Sequence, residues 1–322
     1  MLSLIKGQGR GNFCRFAPIL FIAVAMLLSL FSGHASAAAK AEKQMTFASP
    51  EEAVQSLFDA LKNKDSKALS SILGPDAKDL TSSGDPVSDK EICEQATKLY
   101  EEKHKIVREG DAKAVLQMGG KDWPMPIPMV SSAGKWRFDT KAGKQEIIDR
   151  RIGRNELNAI QVCLAYFDGQ REYASVPRQG DGVLEYAQHF SSTPGKKDGL
   201  YWESKAGEPQ SPMGLFVANA KAAGYEKGTP QHPVPYHGYF YKILKAQGKN
   251  APGGTCDYVV KGRMIGGFAL VAYPAKYGAS GIMTFIVNHN GVVYQKNLGP
   301  QTAAAAKAIR LFDPDKTWQK VK

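Results

Sequence analysis

The sequence lacks the residue patterns of the common catalytic and cofactor sites. It contains no phosphate-binding glycine loop, no dinucleotide-binding glycine motif, no HExxH and no paired CxxC. We therefore expect no cofactor. Cysteine is scarce, at 4 in 322 residues, and a chain of this length can bury a core without disulfides or a structural metal. No residue pattern names a reaction, so the sequence favours a protein that binds over one that catalyses.

Long runs of like charge are missing as well. Lysine and arginine number 42 against 31 aspartate and glutamate, and the formal net charge is +11. Acidic residues interrupt the basic ones, whereas nucleic-acid-binding tails carry blocks of one sign. We expect no nucleic-acid partner. The excess indicates a basic, soluble surface or, as the alternative, a patch for anionic envelope polymers or lipid headgroups.

A long apolar run occurs near the N-terminus. It covers Phe16–Phe31, follows basic residues and precedes a stretch of small residues that ends at Ala37. This order is typical of a secretory signal peptide over residues 1–37, with cleavage after Ala37. The run is shorter than the roughly 20 residues that span a bilayer. We therefore expect a periplasmic or secreted protein with no stable transmembrane segment after cleavage.

Hydrophobic periodicity predicts an α+β fold whose N-terminal half begins with helices. Ser49 and Pro50 supply the cap and the first position of an amphipathic helix. Strands and an antiparallel hairpin follow, and a long central helix ends this half. The predicted helices cover residues 50–63, 66–73, 89–108 and 141–173, and the predicted strands cover residues 112–118, 122–130 and 134–139.

The sequence of the C-terminal half predicts a long segment with little regular structure, named the excursion, and then an antiparallel meander. Residues 176–235 are rich in glycine, proline and charge, with a short helical piece over 213–224. The predicted strands cover residues 238–247, 263–273, 281–287 and 292–296, and a terminal helix covers 302–312. This pattern predicts an N-terminal α+β domain over 38–175 and a C-terminal sheet domain over 236–322.

Two carboxylates interrupt the apolar side of the predicted long helix. Asp149 and Glu156 project from the middle of the arc that contains Ile152 and Cys163. A buried carboxylate is costly unless it is paired or hydrogen-bonded. Either each acid pairs with an arginine of a neighbouring element, or the acids are catalytic candidates that act as acid or base in an open cleft.

Histidine and cysteine offer two further candidates. His232 and His237 are the close histidine pair, so they are candidate metal ligands, although loop residues that precede a strand are the alternative. Cys93 and Cys163 lie on predicted helices, on their apolar sides. They suit either a disulfide between packed helices or two buried thiols.

Aromatic residues cluster around the excursion and the first C-terminal strand. Among them, Tyr201, Trp202, Tyr236 and Tyr239 have basic residues close by. Such a set suits a groove for a glycan or a peptide, where aromatic faces and polar tips make contact together. The alternative is that these rings belong to the core of the sheet and of the domain interface.

Several sequence blocks, in order along nearly the whole chain after residue 46, resemble one bacterial exported family. The blocks include SSGDPV at 82–87, GKWRFDT at 134–140, IGRNELNAI at 152–160, KKDGLYW at 196–202 and HGYFYKIL at 237–244. They resemble the family called domain of unknown function 2950. The resemblance implies a periplasmic or secreted protein of a Gram-negative bacterium and brings no established activity to any residue. The N-terminal helices with a curved hairpin are similar to the cone-shaped folds of nuclear-transport-factor-2-like and cystatin-like proteins, which is an analogy of fold alone.

Together these patterns predict a non-catalytic binding or scaffolding protein of the cell envelope, whose partner is an envelope protein or polymer. The alternative is a hydrolase that acts on an envelope polymer through a buried carboxylate such as Glu156.

Overall fold

Two five-stranded antiparallel sheets and a set of helices make up the fold, which confirms the predicted α+β class. The computed structural model describes residues 44–77, 80, 82–205, 207–226, 228 and 233–321. The helices are α1 Pro50–Lys62, α2 Ser66–Leu73, α3 Pro86–Glu102, α4 Thr140–Tyr173, α5 Gly214–Ala222 and α6 Thr302–Ala308. The strands of the N-terminal sheet are β1 His104–Arg108, β2 Lys113–Met118, β3 Trp123–Pro124, β4 Met129–Ser132 and β5 Lys135–Phe138. The remaining strands are β6 Tyr239–Leu244, β7 Ala246–Gln247, β8 Cys256–Asp257, β9 Val259–Val260, β10 Arg263–Met264, β11 Ala269–Pro274, β12 Met283–Asn288, β13 Tyr294–Asn297 and β14 Gln319–Lys320.

The N-terminal core is built by α1, α2 and the first sheet. The Ser49 hydroxyl accepts the Glu52 N–H at 3.1 Å, which confirms Ser49 as the helix cap, and the Glu52 carboxylate accepts the Ala48 N–H at 2.8 Å. The sheet runs β1-β2-β4-β5, and β3 pairs with β2. Pro124 lies in β3 at the margin of this sheet, as expected for a residue that donates no ladder hydrogen bond.

Helix α3 differs from its prediction at both ends. It begins at Pro86, with Asp85 rather than Asp89 as its N-cap, because proline is suited to the first helical position. The predicted end at Arg108 is wrong, since residues 104–108 form β1 and pair with β2. The β-branched pair Ile106 and Val107 fits a strand as well as a helix face, and pairing with β2 decides between them.

Helix α4 confirms the predicted long helix and connects the two cores. Its N-terminal part approaches the first core so closely that a Cβ on Gly143 would lie 2.5 Å from the Pro126 carbonyl oxygen. Its C-terminal part packs Ala159, Cys163 and Tyr166 on the second sheet. Each half of this helix therefore buries its apolar surface against a different sheet.

The C-terminal sheet has the order β14-β13-β12-β11-β6. Strand β11 is buried along its whole length, as predicted for a central strand. The predicted strand over 263–273 is interrupted, because Gly267 has φ +137° and separates β10 from β11. Helix α6 ends at Ala308, before the predicted residue 312. The chain then turns so that Phe312 enters the core and bridges to Gln247.

The excursion packs against the second core. Leu200, Trp202 and Met213 belong to this core together with residues of α4, β6 and β11. The described residues belong to one compact unit, Glu42–Lys322, and the division at 175 and 236 stays a prediction. Among the helices described here, none is both long enough and apolar enough to cross a membrane.

Candidate functional site

A groove lies along β6, the outer strand of the C-terminal sheet. Residues 240–243 and Lys245 form one side, and the other contributors include the segment 188–191, Tyr201, α5 and residues 233–236. Its volume is about 830 Å³, within the roughly 300–1,000 Å³ that is usual for ligand sites. This cavity is named the aromatic groove, after the lining residues Phe190, Tyr201, Phe216, Tyr236, Phe240 and Tyr241.

Contacts with neighbouring side chains hold the rings of the groove in place. The rings of Phe216 and Tyr236 meet edge to face at 5.1 Å, and Tyr225 meets Tyr236 at 4.7 Å. The Lys221 ammonium lies 5.3 Å from the centre of the Tyr201 ring and donates to its hydroxyl at 3.1 Å. Rings fixed in this way bind a ligand with little further loss of side-chain entropy.

The charged groups of the groove are mostly basic. Lys221 and Lys245 are exposed, whereas Lys242 is half-buried. Among the described lining residues, Glu226 is the single carboxylate. The Lys242 ammonium donates to the carbonyls of Ala306 at 3.1 Å and Lys307 at 2.9 Å, at the C-terminal end of α6. Burial lowers the pKa of Lys242. This lysine therefore fixes β6 against α6, and the other two remain for a ligand.

A buried aspartate fixes the loop that leads into β6. Asp85 caps α3 by accepting the Ser88 N–H at 3.1 Å. Its other carboxylate oxygen accepts the Gly238 N–H at 2.7 Å and the Tyr225 hydroxyl at 3.0 Å. The Tyr225 oxygen accepts the His237 N–H at 3.3 Å. One carboxylate thus connects a helix of the N-terminal half to the wall of the groove.

Burial shifts the acid–base behaviour of this wall. It raises the pKa of Tyr225, and the negative charge of Asp85 adds to the shift. Burial also raises the pKa of Tyr236 and lowers the pKa of His237. Near neutral pH these tyrosines keep their protons, so the groove presents hydroxyl groups and not phenolates.

The four aromatic candidates separate into two pairs. Tyr201 and Tyr236 line the aromatic groove and are partly exposed. Trp202 and Tyr239 belong instead to the second core, with 8% and 0% of their surface exposed. The Tyr239 hydroxyl donates to the Met283 carbonyl at 2.9 Å.

The prediction that Asp149 lies in the apolar arc is wrong, because its side chain is exposed and accepts from the Gln145 amide at 2.8 Å. The buried stripe of α4 includes Arg151, Asn155 and Gln170. These buried polar residues move the centre of the stripe away from Asp149, so that Asp149 and Glu156 lie at its margin.

Glu156 is partly buried, and its partners are not arginines. One carboxylate oxygen accepts the Ile282 N–H and the Met283 N–H, both at 2.9 Å. Ile282 precedes strand β12, and Met283 is its first residue. The arrangement resembles a helix cap in its chemistry, since one carboxylate satisfies backbone donors at the start of the strand. Glu156 therefore positions β12 against α4.

The predicted histidine pair is only partly visible. His232 lies outside the described residues. His237 has φ +49° and lies between the loop and β6, where its ring contacts Tyr236 at 4.2 Å between ring centres. Within the part of the chain that the structure describes, no group of three His, Cys, Asp or Glu side chains could hold a metal ion. The metal-site hypothesis stays a prediction.

Cys93 and Cys163 are both free thiols, so the disulfide alternative is wrong. Cys93 is on α3 beside the N-terminal core, whereas Cys163 is on the part of α4 that packs on the second core. The apolar sides of the two helices therefore face different cores. Burial raises the pKa of Cys163 to about 12, which makes its thiol inert at neutral pH.

A second, smaller cavity lies in the N-terminal half. Its volume is about 250 Å³, and the lining is mainly aliphatic, with Leu57, Leu69, Ile92 and Ile127 among the contributors. Arg151 crosses beside it and donates to the Leu80 carbonyl. Charged residues of its lining are Asp89, Arg150, Arg151 and Arg154, but its volume is below the roughly 300–1,000 Å³ usual for ligand sites, so the aromatic groove is the better candidate site.

The sequence interpretation did not identify Asp85 as the residue that anchors the loop before β6. The signal was the pair Asp85 and Pro86, in which an N-cap residue precedes a proline at the first helical position. That signal predicts the cap. It does not predict the two long-range contacts to residues 225 and 238, because they depend on tertiary packing.

Comparisons with known proteins agree with the sequence blocks. No curated protein and no solved structure matches the chain. The model of the family described as protein of unknown function, DUF2950, matches residues 44–321, which is nearly all of the described part. This match confirms the resemblance seen in the sequence blocks, and the chain belongs to the DUF2950 family.

Proposed function

We propose that this chain is an exported, non-catalytic binding protein of the cell envelope, which holds a segment of an extended polymer, glycan or peptide, in the aromatic groove. The observation that carries the proposal is the groove itself. Tyr201, Phe216 and Tyr236 are fixed by their neighbours and partly exposed around a volume of about 830 Å³. Preorganised rings next to a few polar groups are typical of binding sites.

The lining favours binding over hydrolysis. Neither Asp149 nor Glu156 is among the described residues of the groove. Glu156 already accepts two backbone N–H groups. The export part of the proposal rests on the sequence order of basic residues, apolar run and small residues that ends at Ala37. If export is correct, N-terminal sequencing of the protein purified from periplasm will begin at Ala38.

The binding proposal is tested by calorimetric titration of the purified chain with a panel of soluble glycans and synthetic peptides. We expect at least one member to bind, and Tyr236→Ala and Tyr201→Ala to weaken that binding by about tenfold each. Tyr277→Ala is the matched control, because Tyr277 is also partly exposed but is not part of the groove lining. Absence of binding across the panel, or equal losses in all three variants, would contradict the proposal.

A further inference from the structure

Strand β6 has one edge on which backbone groups remain unpaired. In the antiparallel register with β11, Lys242 opposes Val271 and Leu244 opposes Ala269. The Gly238 carbonyl accepts the Ala275 N–H at 2.9 Å, which shows that even-numbered residues direct their backbone groups toward β11. The odd-numbered residues of β6 therefore direct theirs away from the sheet.

The outward groups are paired only at the start of the strand. Tyr239 exchanges two hydrogen bonds with Tyr236, at 2.8 and 3.1 Å. The next outward residues are Tyr241 and Ile243. Among the described residues, no backbone or side-chain group forms a hydrogen bond with their backbone N–H and C=O groups. Both residues line the aromatic groove. The groove thus contains two N–H donors and two C=O acceptors spaced as in a strand.

The composition of β6 does not protect this edge. Its sequence YFYKIL has a single charged residue, Lys242, whose ammonium is bound to the carbonyls at the end of α6. Natural proteins usually protect an edge strand with charges, proline, a bulge or a covering segment. An apolar, regular edge that opens into a cavity is a template for an added strand.

We propose that the aromatic groove binds an extended acidic peptide, which adds to β6 as a further antiparallel or parallel strand. This inference rests on the proposed binding function and names its ligand class. The backbone of the peptide pairs with Tyr241 and Ile243. Its side chains on one face contact the rings of Phe216 and Tyr236.

Charge selects an acidic peptide among extended peptides. Lys221 and Lys245 are exposed at the groove, and the described partners of their ammonium groups are the Tyr201 hydroxyl and the Gln188 amide oxygen. Neither partner carries a charge. Glu226 is the single carboxylate among the described lining residues. Carboxylates of a bound peptide therefore meet two cations that form no salt bridge with a carboxylate among the described residues.

The test selects random heptapeptides, displayed on phage, against the full purified chain and against Ile243→Pro. This variant removes an outward N–H and leaves the bonds to β11 in place, as proline is tolerated at the free side of an edge strand. Ile243→Val is the matched control, because it retains the N–H. We expect acidic, strand-forming sequences to be enriched on the unmodified chain and on Ile243→Val, and at least tenfold less on Ile243→Pro.

N-methylated peptides keep the test independent of any folding defect in the proline variant. The best selected peptide is synthesised in two forms, methylated on the backbone nitrogens of its odd or of its even residues. Strand addition predicts that one form loses about tenfold or more in affinity for the unmodified chain, whereas the other binds as before. Equal effects in the two forms would overturn the proposal. The double variant Lys221→Glu with Lys245→Glu should weaken the acidic peptide by about tenfold.

The remaining outcomes are also informative. If no peptide is enriched but a glycan binds and Tyr236→Ala abolishes that binding, the proposed binding function stands and strand addition is wrong. If light scattering shows a dimer that Ile243→Pro dissociates, a second copy of the chain occupies the edge, and the peptide proposal is also wrong. If neither peptide nor glycan binds, the binding function itself fails.

Discussion

The two sheets are completed in opposite ways. The outer strand β5 of the N-terminal sheet is covered, because Phe47 exchanges backbone hydrogen bonds of 2.8 and 2.9 Å with Trp136. The other outer strand, β1, is short and carries the charged residues Lys105 and Arg108. In the C-terminal sheet, β14 has only two residues, but β6 has six and is mostly apolar. The N-terminal sheet thus has one covered edge and one charged edge, whereas the C-terminal sheet retains a mostly apolar edge inside a groove.

The sheets also differ in what holds them. The N-terminal sheet rests on a core of apolar side chains. The C-terminal sheet has an apolar core too, but buried or partly buried polar groups set its position. Asp85 binds the backbone just before β6, Glu156 binds the backbone at the start of β12, and Lys242 connects β6 to α6. The difference shows that an outer strand such as β6 can be held in position while its outer backbone groups stay unpaired. The anchors bind the ends and the inner face of the strands and leave the outer backbone groups of β6 available.

The largest expected effect on the free energy of unfolding concerns the covered outer strand β5. Phe47→Ala removes a ring that is 4% exposed and should lower the free energy of unfolding by about 4 kcal/mol. Ile243→Ala, on the open edge, should lower it by only about 1 kcal/mol because its side chain is partly exposed. Urea unfolding measures both. Similar losses at the two positions would mean that the Ile243 side chain is packed as fully as the Phe47 ring.

The next effect concerns the anchor of the groove. Asp85→Ala removes an N-cap and leaves the buried Gly238 N–H and Tyr225 hydroxyl without their acceptor, so it should lower the free energy of unfolding by about 3 kcal/mol. Asp65→Ala is the matched control, because Asp65 caps α2 and has no long-range contact among the described residues. Its loss should be about 1 kcal/mol. If chemical denaturation gives equal losses, Asp85 acts only as a cap.

A smaller effect separates the two carboxylates of α4. Glu156→Ala leaves the Ile282 and Met283 N–H groups without an acceptor and should lower the free energy of unfolding by about 2 kcal/mol. Asp149→Ala removes an exposed carboxylate and should change the thermal midpoint little. The account of polar anchors would be contradicted by a variant at 156 that is as stable as the one at 149.

The sequence predicted the parts of the fold that depend on local chemistry. The helix cap at Ser49, the limits of the long helix and the central position of β11 all follow from short-range signals and are confirmed. The stripe on α4 was misplaced at Asp149, because Arg151 and Asn155 are polar residues that tertiary contacts bury.

The sequence predicted the candidate site only as a cluster of aromatic residues. Aromatic density indicated the region, but tertiary packing decided that Tyr236 lines the groove whereas Tyr239 is in the core. That β6 is an outer strand depends on the order of five strands, and local patterns carry no information about that order. The contacts of Asp85 to residues 225 and 238 are hidden from the sequence for the same reason.

The central claim is the open edge of β6, and residue-resolved amide hydrogen exchange of the full chain tests it most directly. The account predicts that the Lys242 and Leu244 amides, which face β11, are protected, while the Tyr241 and Ile243 amides exchange at least about tenfold faster. Saturation with the best selected acidic peptide should then protect Tyr241 and Ile243. Equal protection of all four amides in the free chain would contradict the account.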